Sequence, residues 1–361
     1  MAKRPIRVGF IGLNPDSHWA AMAHLPALRY LSDDFEIVAV ANSTPESAQR
    51  SAAQLNLPYA FATPQQLVNA DVVDLVVITV KVPYHFELVK AALEAGKHVH
   101  CEWPLGNGLA ETKQLTELAA AKGVVATIGT QMRAAPEILY LKQLIADGYV
   151  GRVLSSNLIG SAVNWGAESP AELYYLFDQR NGATMLSIPF AHTLAGIQDV
   201  LGEFADIHGR TFRTRDTVHL LDTQQDLIRN AADQLVVHAQ FKTGAAFSAH
   251  YRGGMSRGTN FLWEINGTDG DLLITGDVGH GQFAQLTIQG ATGQETELRT
   301  LHVPAELLAD LPTHVVPRNV AGIYRLVAKD IQTGSRHAPS FADALKLHEL
   351  IDAIGQGNSY L

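Results

Sequence analysis

Short closed apolar runs alternate with helically spaced stretches over the first 130 residues, and the pattern then changes. The runs IRVGFIG (6–12), EIVAVAN (36–42), VDLVVITV (73–80), HVHCE (98–102) and VVATIGT (124–130) show little polar alternation. Strands of that kind are buried on both faces, as in a parallel sheet. Between them the spacing predicts helices near 20–31, after Thr44-Pro45-Glu46, near 64–68, over 84–95 up to Gly96, and over 109–122 up to Gly123. Thr44 suits an N-cap and Pro45 the first turn. A short strand is expected around Tyr59-Ala60-Phe61. Strand and helix in regular alternation predict a Rossmann-type unit.

Past residue 131 a helix at 136–147 leads into β-rich segments: LSSNLIGSAV, QLVVHAQF, AAFSAHYRG, FLWEINGT, GDLLITGD and FAQLTIQG, many joined by Gly-containing turns. Helices return at 320–333 and 341–354. The expected class is α/β, with an N-terminal Rossmann dinucleotide-binding domain (1–130). A C-terminal α+β domain (131–361) with a large, mostly antiparallel sheet follows.

Composition narrows the function classes. A chain of 361 residues has room for two domains of about 150 residues each. The net charge of −9 argues against a nucleic-acid surface, which needs clustered Lys and Arg. Cys101 is the single cysteine, so no internal disulfide or multi-thiolate metal site is expected, and no metal-ligand set is read from the spacing. With no secretory h-region and no apolar run near ~18 residues, a cytoplasmic protein without a membrane span is expected.

The candidate chemistry begins after the first strand. Gly9 and Gly12 open a phosphate loop, but it continues L-N-P-D-S-H-W, with Asn14 and Ser17 where further glycines normally sit. Asn tolerates positive φ, and Ser17 offers a hydroxyl to phosphate. Asp16 suits a pyrophosphate neighbour only if it points away. By itself this run also suits an ordinary strand–helix turn. The second strand ends V-A-N-S-T, without the acid that takes the ribose hydroxyls of NAD. Asn42, Ser43 and Thr44, with Arg50 nearby, leave room for a 2′-phosphate, so either NADP or NAD is expected.

VDLVVITVKVPYHFELVKAALEAGKHV (73–99), the E-W-P that follows, LKQLIADGYVGRV (141–153), the segment ING-TDGDL (265–272) and PSFADALKLHELIDAI (339–354) together resemble the glucose–fructose oxidoreductase / inositol dehydrogenase / MocA family. The resemblance covers essentially the whole chain. The long loop before His24, K-V-P-x-H at 81–85 and E-W at 102–103 are most similar to the branch of the fungal galactose-pathway repressor. The resemblance implies that Gly12, Leu13, Asn14 and Ser17 line the pyrophosphate and that Asn42, Ser43 and Thr44 face the adenosine ribose. Val80, Lys81, Pro83 and His85 would then lie under the nicotinamide half, with Glu102 near its ribose.

Two departures stand out. Dehydrogenases of the family carry Lys where this chain has Trp103, and a D-x-x-x-H pair on a helix of the second domain. In NGATMLSIPFAHT, His192 matches the histidine but Ile188 stands for the acid. Removing an alcohol proton needs a base, and an indole supplies only an N–H donor. Trp103 is expected against the nicotinamide, filling the lysine's volume. His192 remains as acid/base, with Tyr174 and Tyr175 as alternatives. Trp165, within Asn164-Trp165-Gly166, is expected at the edge of a sugar pocket, with Arg133 and Arg252 hydrogen-bonding hydroxyls. The resemblance thus implies an NAD(P)-dependent sugar or polyol oxidoreductase with an atypical site, forming a homodimer. The alternatives are a non-catalytic NAD(P)-sensing regulator and redox-assisted lyase, hydrolase or epimerase chemistry.

Overall fold

A computed structural model describes residues 4–16 and 19–357. They divide into two compact units. The first comprises the described residues up to Gln131 together with Asp310–His348; the second comprises Met132–Ala309 together with the described residues from Glu349.

The first unit holds a six-stranded sheet: β1 (Ile6–Ile11), β2 (Phe35–Ala41), β3 (Tyr59–Phe61), β4 (Leu75–Ile78), β5 (His98–Glu102) and β6 (Ala126–Gly129). All pairings are parallel, in the order β3-β2-β1-β4-β5-β6. The continuous apolar runs are explained by burial on both faces, complete along β4. The connecting helices are α1 (Leu25–Tyr30), α2 (Pro45–Leu55), α3 (Pro64–Val68), α4 (His85–Glu94) and α5 (Leu109–Lys122). Thr44 Oγ1 caps α2 by accepting from the Ser47 amide at 3.2 Å, and Gly123 ends α5 with φ 66°. Strand order reverses between β1 and β4, which places a ligand crevice at their carboxyl ends.

The second unit begins with α6 (Pro136–Ala146) and is built on an eight-stranded sheet. Its strands are β7 (Val153–Ala162), β9 (Phe204–Phe212), β12 (Gln234–Phe241), β13 (Ala246–Gly253), β14 (Phe261–Gly267), β15 (Gly270–Gly276), β16 (Leu286–Thr292) and β17 (Arg299–Leu301), in the order β17-β16-β15-β14-β7-β13-β12-β9. Only β7–β13 is parallel. Alternate residues of β12 and β13 are buried, so one face of these strands makes core and the other is exposed. A small sheet joins β8 (Glu168–Ser169), β10 (Thr217–Leu220) and β11 (Gln225–Ile228). Helix α7 (Ala191–Leu201) follows a π-helical turn at Leu186–Phe190 containing Pro189, and α8 (Ala305–Leu308) is a single turn.

The chain then returns to the first unit. Helix α9 (Val315–Thr333) buries Val320, Ile323, Tyr324 and Val327, a stripe at helical spacing. It starts five residues before the expected Val320, because Pro317 sits in the first turn, where its missing N–H costs nothing. Beyond α9, the Pro339 carbonyl accepts from the Ile128 amide at 2.8 Å, at the edge of β6. Asp330 secures this crossing: its buried carboxylate accepts from the Ser335 hydroxyl and from the His337 and Ala338 amides at 2.7–2.9 Å. Helix α10 (Phe341–Gly355) ends the fold. Residues 310–348, expected within the C-terminal domain, pack in the first unit instead. Among the described residues, no helix is long and apolar enough to cross a membrane.

Candidate functional site

Gly12 turns the chain after β1 with φ 96°, and a Cβ there would stand 2.5 Å from Val80 Cγ1. Only glycine lets the ends of β1 and β4 approach this closely. Gly12→Ala is therefore expected to cost about 1–3 kcal/mol and to weaken dinucleotide binding, read from urea unfolding and calorimetry. Unchanged values in both would show that the loop does not depend on this contact.

Past Gly12, backbone and side chain lock the loop to the end of β2. Asn42 Oδ1 accepts from the Leu13 amide at 2.9 Å, and its Nδ2 donates to the Leu13 carbonyl at 2.9 Å and reaches the Ser47 and Ser51 hydroxyls at 3.2 and 3.1 Å. Ser51 Oγ also donates to the Leu13 carbonyl, at 2.9 Å. Asn42 and Leu13, expected to face ribose and phosphate, spend these groups on each other. The Asn42 amide matches a peptide group in donor and acceptor and pairs with one. Thr44 caps α2, which leaves Ser43 exposed at the strand end. Asn14 Oδ1 accepts from the Asp16 amide at 3.1 Å, and the Asp16 carboxylate accepts from Gln54 on α2 at 3.1 and 3.2 Å. Ser17 lies outside the described residues.

At the end of β4, Thr79 Oγ1 donates to the Gly12 carbonyl at 2.9 Å; Lys81 and Pro83 are exposed and Val80 half-buried. His85 is buried between two carbonyls, with Nδ1 2.6 Å from Pro104 O and Nε2 2.9 Å from Val80 O. Burial lowers its pKa, while the two carbonyls pull the other way. The ring ties the 80–85 turn to the chain after β5. The tight glycine turn, the exposed hydroxyl after β2 and the exposed residues after β4 fit a dinucleotide lying across this crevice.

Glu102 finds its partners inside the unit. The resemblance implied ribose hydroxyls, yet the carboxylate is buried, and Oε1 accepts from Gln131 Nε2 at 2.7 Å and lies 3.0 Å from His24 Nε2 and 3.8 Å from His100 Nε2. Burial pushes its pKa up, but the contacts with His100 and His24 outweigh burial and hold it well below the usual carboxylate range.

Trp103 is 4% exposed, and its ring lies 4.6 Å from that of His348 on α10. Burial pushes His348 from 6.5 down to about 4. A histidine kept neutral in the fold, but free to take a proton once unfolded, costs stability on acidification. The loss begins near pH 6.5 and is complete below about pH 4, roughly 3 kcal/mol in all. His348→Leu is expected to flatten the fall in urea midpoint between pH 7 and pH 5. An identical fall in the variant would assign it to other groups.

In the second unit, His192 is buried at the second position of α7, its ring 5.5 Å from the equally buried His280. Burial, and then the neighbouring His192, hold His280 well below the usual histidine pKa. Next to His192, Thr193 Oγ1 pairs with Tyr251 Oη at 2.8 Å and accepts from the Gly281 amide at 3.3 Å. Ile188 stands at the expected acid position, half-buried in the π turn. His280 and Tyr251 escaped sequence reasoning because strand pairing and the 278–284 loop, not helical spacing, bring them to α7.

The other expected substrate residues are tied into the unit's framework. Tyr174 Oη donates to the Ile228 carbonyl at 2.6 Å, and Arg133 Nε to Asp199 at 3.0 Å. Arg252 donates to Ser161 Oγ and the Thr259 carbonyl at 2.9 and 2.7 Å. Trp165 is 2% exposed, with φ 63° and its indole N–H donating to Ala183 O at 3.2 Å, so its ring is core rather than a pocket edge. The buried Arg229 holds that strained backbone, donating to the Trp165 and Gly166 carbonyls at 3.0 and 2.8 Å while stacking over Phe177.

Fold and crevice define a dinucleotide-binding Rossmann protein with a mixed-sheet second unit. Residues 6–130 match the model of the oxidoreductase family with an NAD-binding Rossmann fold, and residues 136–276 that of the Gal80p C-terminal domain. The galactose/lactose metabolism regulatory protein GAL80 of Kluyveromyces lactis is 31% identical, covering 80% of this chain and 67% of its own length. Dehydrogenase aclE of Aspergillus oryzae is 32% identical, covering 76% and 78%. A super-repressor mutant of Gal80p from Saccharomyces cerevisiae superposes with a TM-score of 0.90 at 27% identity, over 98% of this chain and 96% of that one. The chain belongs to the glucose–fructose oxidoreductase / inositol dehydrogenase / MocA family.

Proposed function

We propose that this protein is an NAD(P)-dependent oxidoreductase acting on a sugar or polyol, with His192 as the acid/base in place of the family's lysine and aspartate. The observation that carries this reading is the buried His192–His280 pair at the start of α7, beside the Thr193–Tyr251 hydrogen bond. Burial and the neighbouring His192 hold His280 neutral, so it adds no charge beside the proposed base. Bound nicotinamide supplies hydride acceptance and return. Gly12 shapes the turn at the pyrophosphate, Ser43 and Thr44 flank the adenosine ribose, and Val80, Lys81 and Pro83 flank the nicotinamide half.

A second reading, a dinucleotide-sensing regulator, is favoured by one specific feature: Trp103 and Ile188 supply no base where dehydrogenases of the family do. In both readings the protein works in the cytoplasm as a homodimer, which covers the exposed face of β12 and β13.

Calorimetric titration with NAD(H) and NADP(H) tests what the readings share. Micromolar binding of at least one dinucleotide is expected, with NADP tolerated because the second strand ends without an acid. No heat with any of the four removes both readings. A strong preference for NAD would remove the 2′-phosphate argument alone.

A further inference from the structure

We propose that His24, His100 and Glu102 form a binding site for a divalent transition-metal ion, zinc or a zinc-like cation, within the first unit. The three come from separate parts of the chain. His24 ends a π-helical turn at Ala20–His24, while His100 and Glu102 lie two apart on β5 and so share a face. Their ligating atoms all lie within 4.8 Å of one another, and all three side chains are buried. Two imidazoles and a carboxylate are a common donor set for zinc and iron(II).

Hydrogen bonding alone does not account for the way these atoms meet. His24 Nε2 is 3.0 Å from Glu102 Oε1 yet makes no hydrogen bond among the described residues, so ring and carboxylate are not aligned with each other. His100 Nε2, at 3.8 Å, is beyond hydrogen-bond reach. Each ring is anchored through its other nitrogen, His24 Nδ1 to Tyr324 Oη at 2.7 Å and His100 Nδ1 to Thr127 Oγ1 at 2.9 Å. Thr127 Oγ1 donates its own hydrogen to the Val99 carbonyl at 3.3 Å. Its oxygen is therefore the acceptor and His100 Nδ1 the donor, so that His100 Nε2 is the nitrogen turned to the Glu102 carboxylate. Two imidazole nitrogens thus converge on one buried carboxylate without a hydrogen bond to it, an arrangement that offers a cation three donor atoms.

Outer contacts that orient ligand histidines in this way are typical of metal sites. Gln131, donating to Glu102 Oε1 at 2.7 Å, orients the carboxylate similarly. Donor atoms around tetrahedral zinc lie about 3.3–3.6 Å apart, which follows from bonds of about 2.0–2.2 Å. The separations of 3.0 and 3.8 Å bracket that range. Periodicity gave no hint of the site, because 76 residues separate His24 from His100 and no ligand motif links them.

The test uses the full chain, stripped with chelator and then titrated with zinc chloride and with cobalt chloride. Wild type is expected to take up one equivalent that is not removed by washing, with a rise in thermal midpoint and a cobalt ligand-field spectrum of nitrogen and oxygen donors. His100→Asn and Glu102→Gln are expected to weaken zinc at least about 100-fold, beyond the loss of an outer contact. No tight equivalent in wild type overturns the proposal, and so does equal binding in both variants, which would place the ion on other histidines. If neither variant folds, X-ray absorption of zinc-loaded wild type decides. Scattering from two imidazoles supports the site, and its absence overturns it.

Discussion

Trp103→Lys is expected to lower the unfolding free energy of the first unit by about 3–5 kcal/mol, although it restores the residue type of active relatives. The indole is 4% exposed and packs 4.6 Å from the buried His348. Lysine would leave much of that volume empty and bring an ammonium into a place where burial already holds the neighbouring imidazole neutral. Urea unfolding followed by far-UV circular dichroism measures the loss. Trp103→Phe keeps an aromatic face and is expected to lose no more than about half as much. A loss below about 1 kcal/mol for lysine would mean that its amine reaches water, so that the indole is a removable plug. Ile188→Asp is a different exchange, because Ile188 is only half-buried and an aspartate there can stay solvated. The two departures from the family are thus unequal: one is woven into the core through α10, and the other is a local choice.

That asymmetry could not be read from the sequence, although the sheet that frames it could. β1, β2 and β4 announce themselves by continuous apolar runs, and Thr44-Pro45 and Gly123 mark helix ends through capping chemistry that needs no tertiary context. The return of 310–348 to the first unit is set by Tyr324 and the Pro339 carbonyl meeting residues some 200–300 positions away, and no local period encodes such a meeting. Strand β9 was missed because F-A-D-I-H-G-R-T-F mixes charge and glycine with few apolar residues. Among site residues, the Gly12 turn was legible from residue type. The commitments of Asn42 to Leu13, Arg133 to Asp199 and Trp165 to Ala183 were not, since a polar or amphipathic side chain serves framework and ligand equally well until its partners are known.

The buried polar groups also divide by purpose. Asp330 and Arg229 are tied mainly to backbone groups, each through several hydrogen bonds, as groups that hold loops must be. His192 and His280 instead lie ring beside ring, their centroids 5.5 Å apart, both buried at the start of α7. This contrast, more than the retained histidine alone, favours chemistry at α7.

His192→Asn is accordingly expected to cut turnover about 10²–10⁴-fold, the usual contribution of a positioned acid/base, with dinucleotide affinity changed less than about threefold. The assay follows reduced nicotinamide across a panel of aldoses, deoxy sugars and polyols, and takes the best substrate forward. Affinity should hold because the residues proposed to bind the dinucleotide lie in the first unit, whereas His192 lies in the second. His280→Asn is expected to cost less, since it acts through its neighbour, and to shift the pH profile more than the maximal rate. A drop confined to KM would make His192 a binding group. An unchanged rate would move the base to another residue, with Tyr251 the nearest candidate through its bond to Thr193. If wild type binds dinucleotide but reduces none on any substrate of the panel, the His192 pair is framework after all. The missing lysine and aspartate then mean what they mean chemically: a site that holds its cofactor without using it.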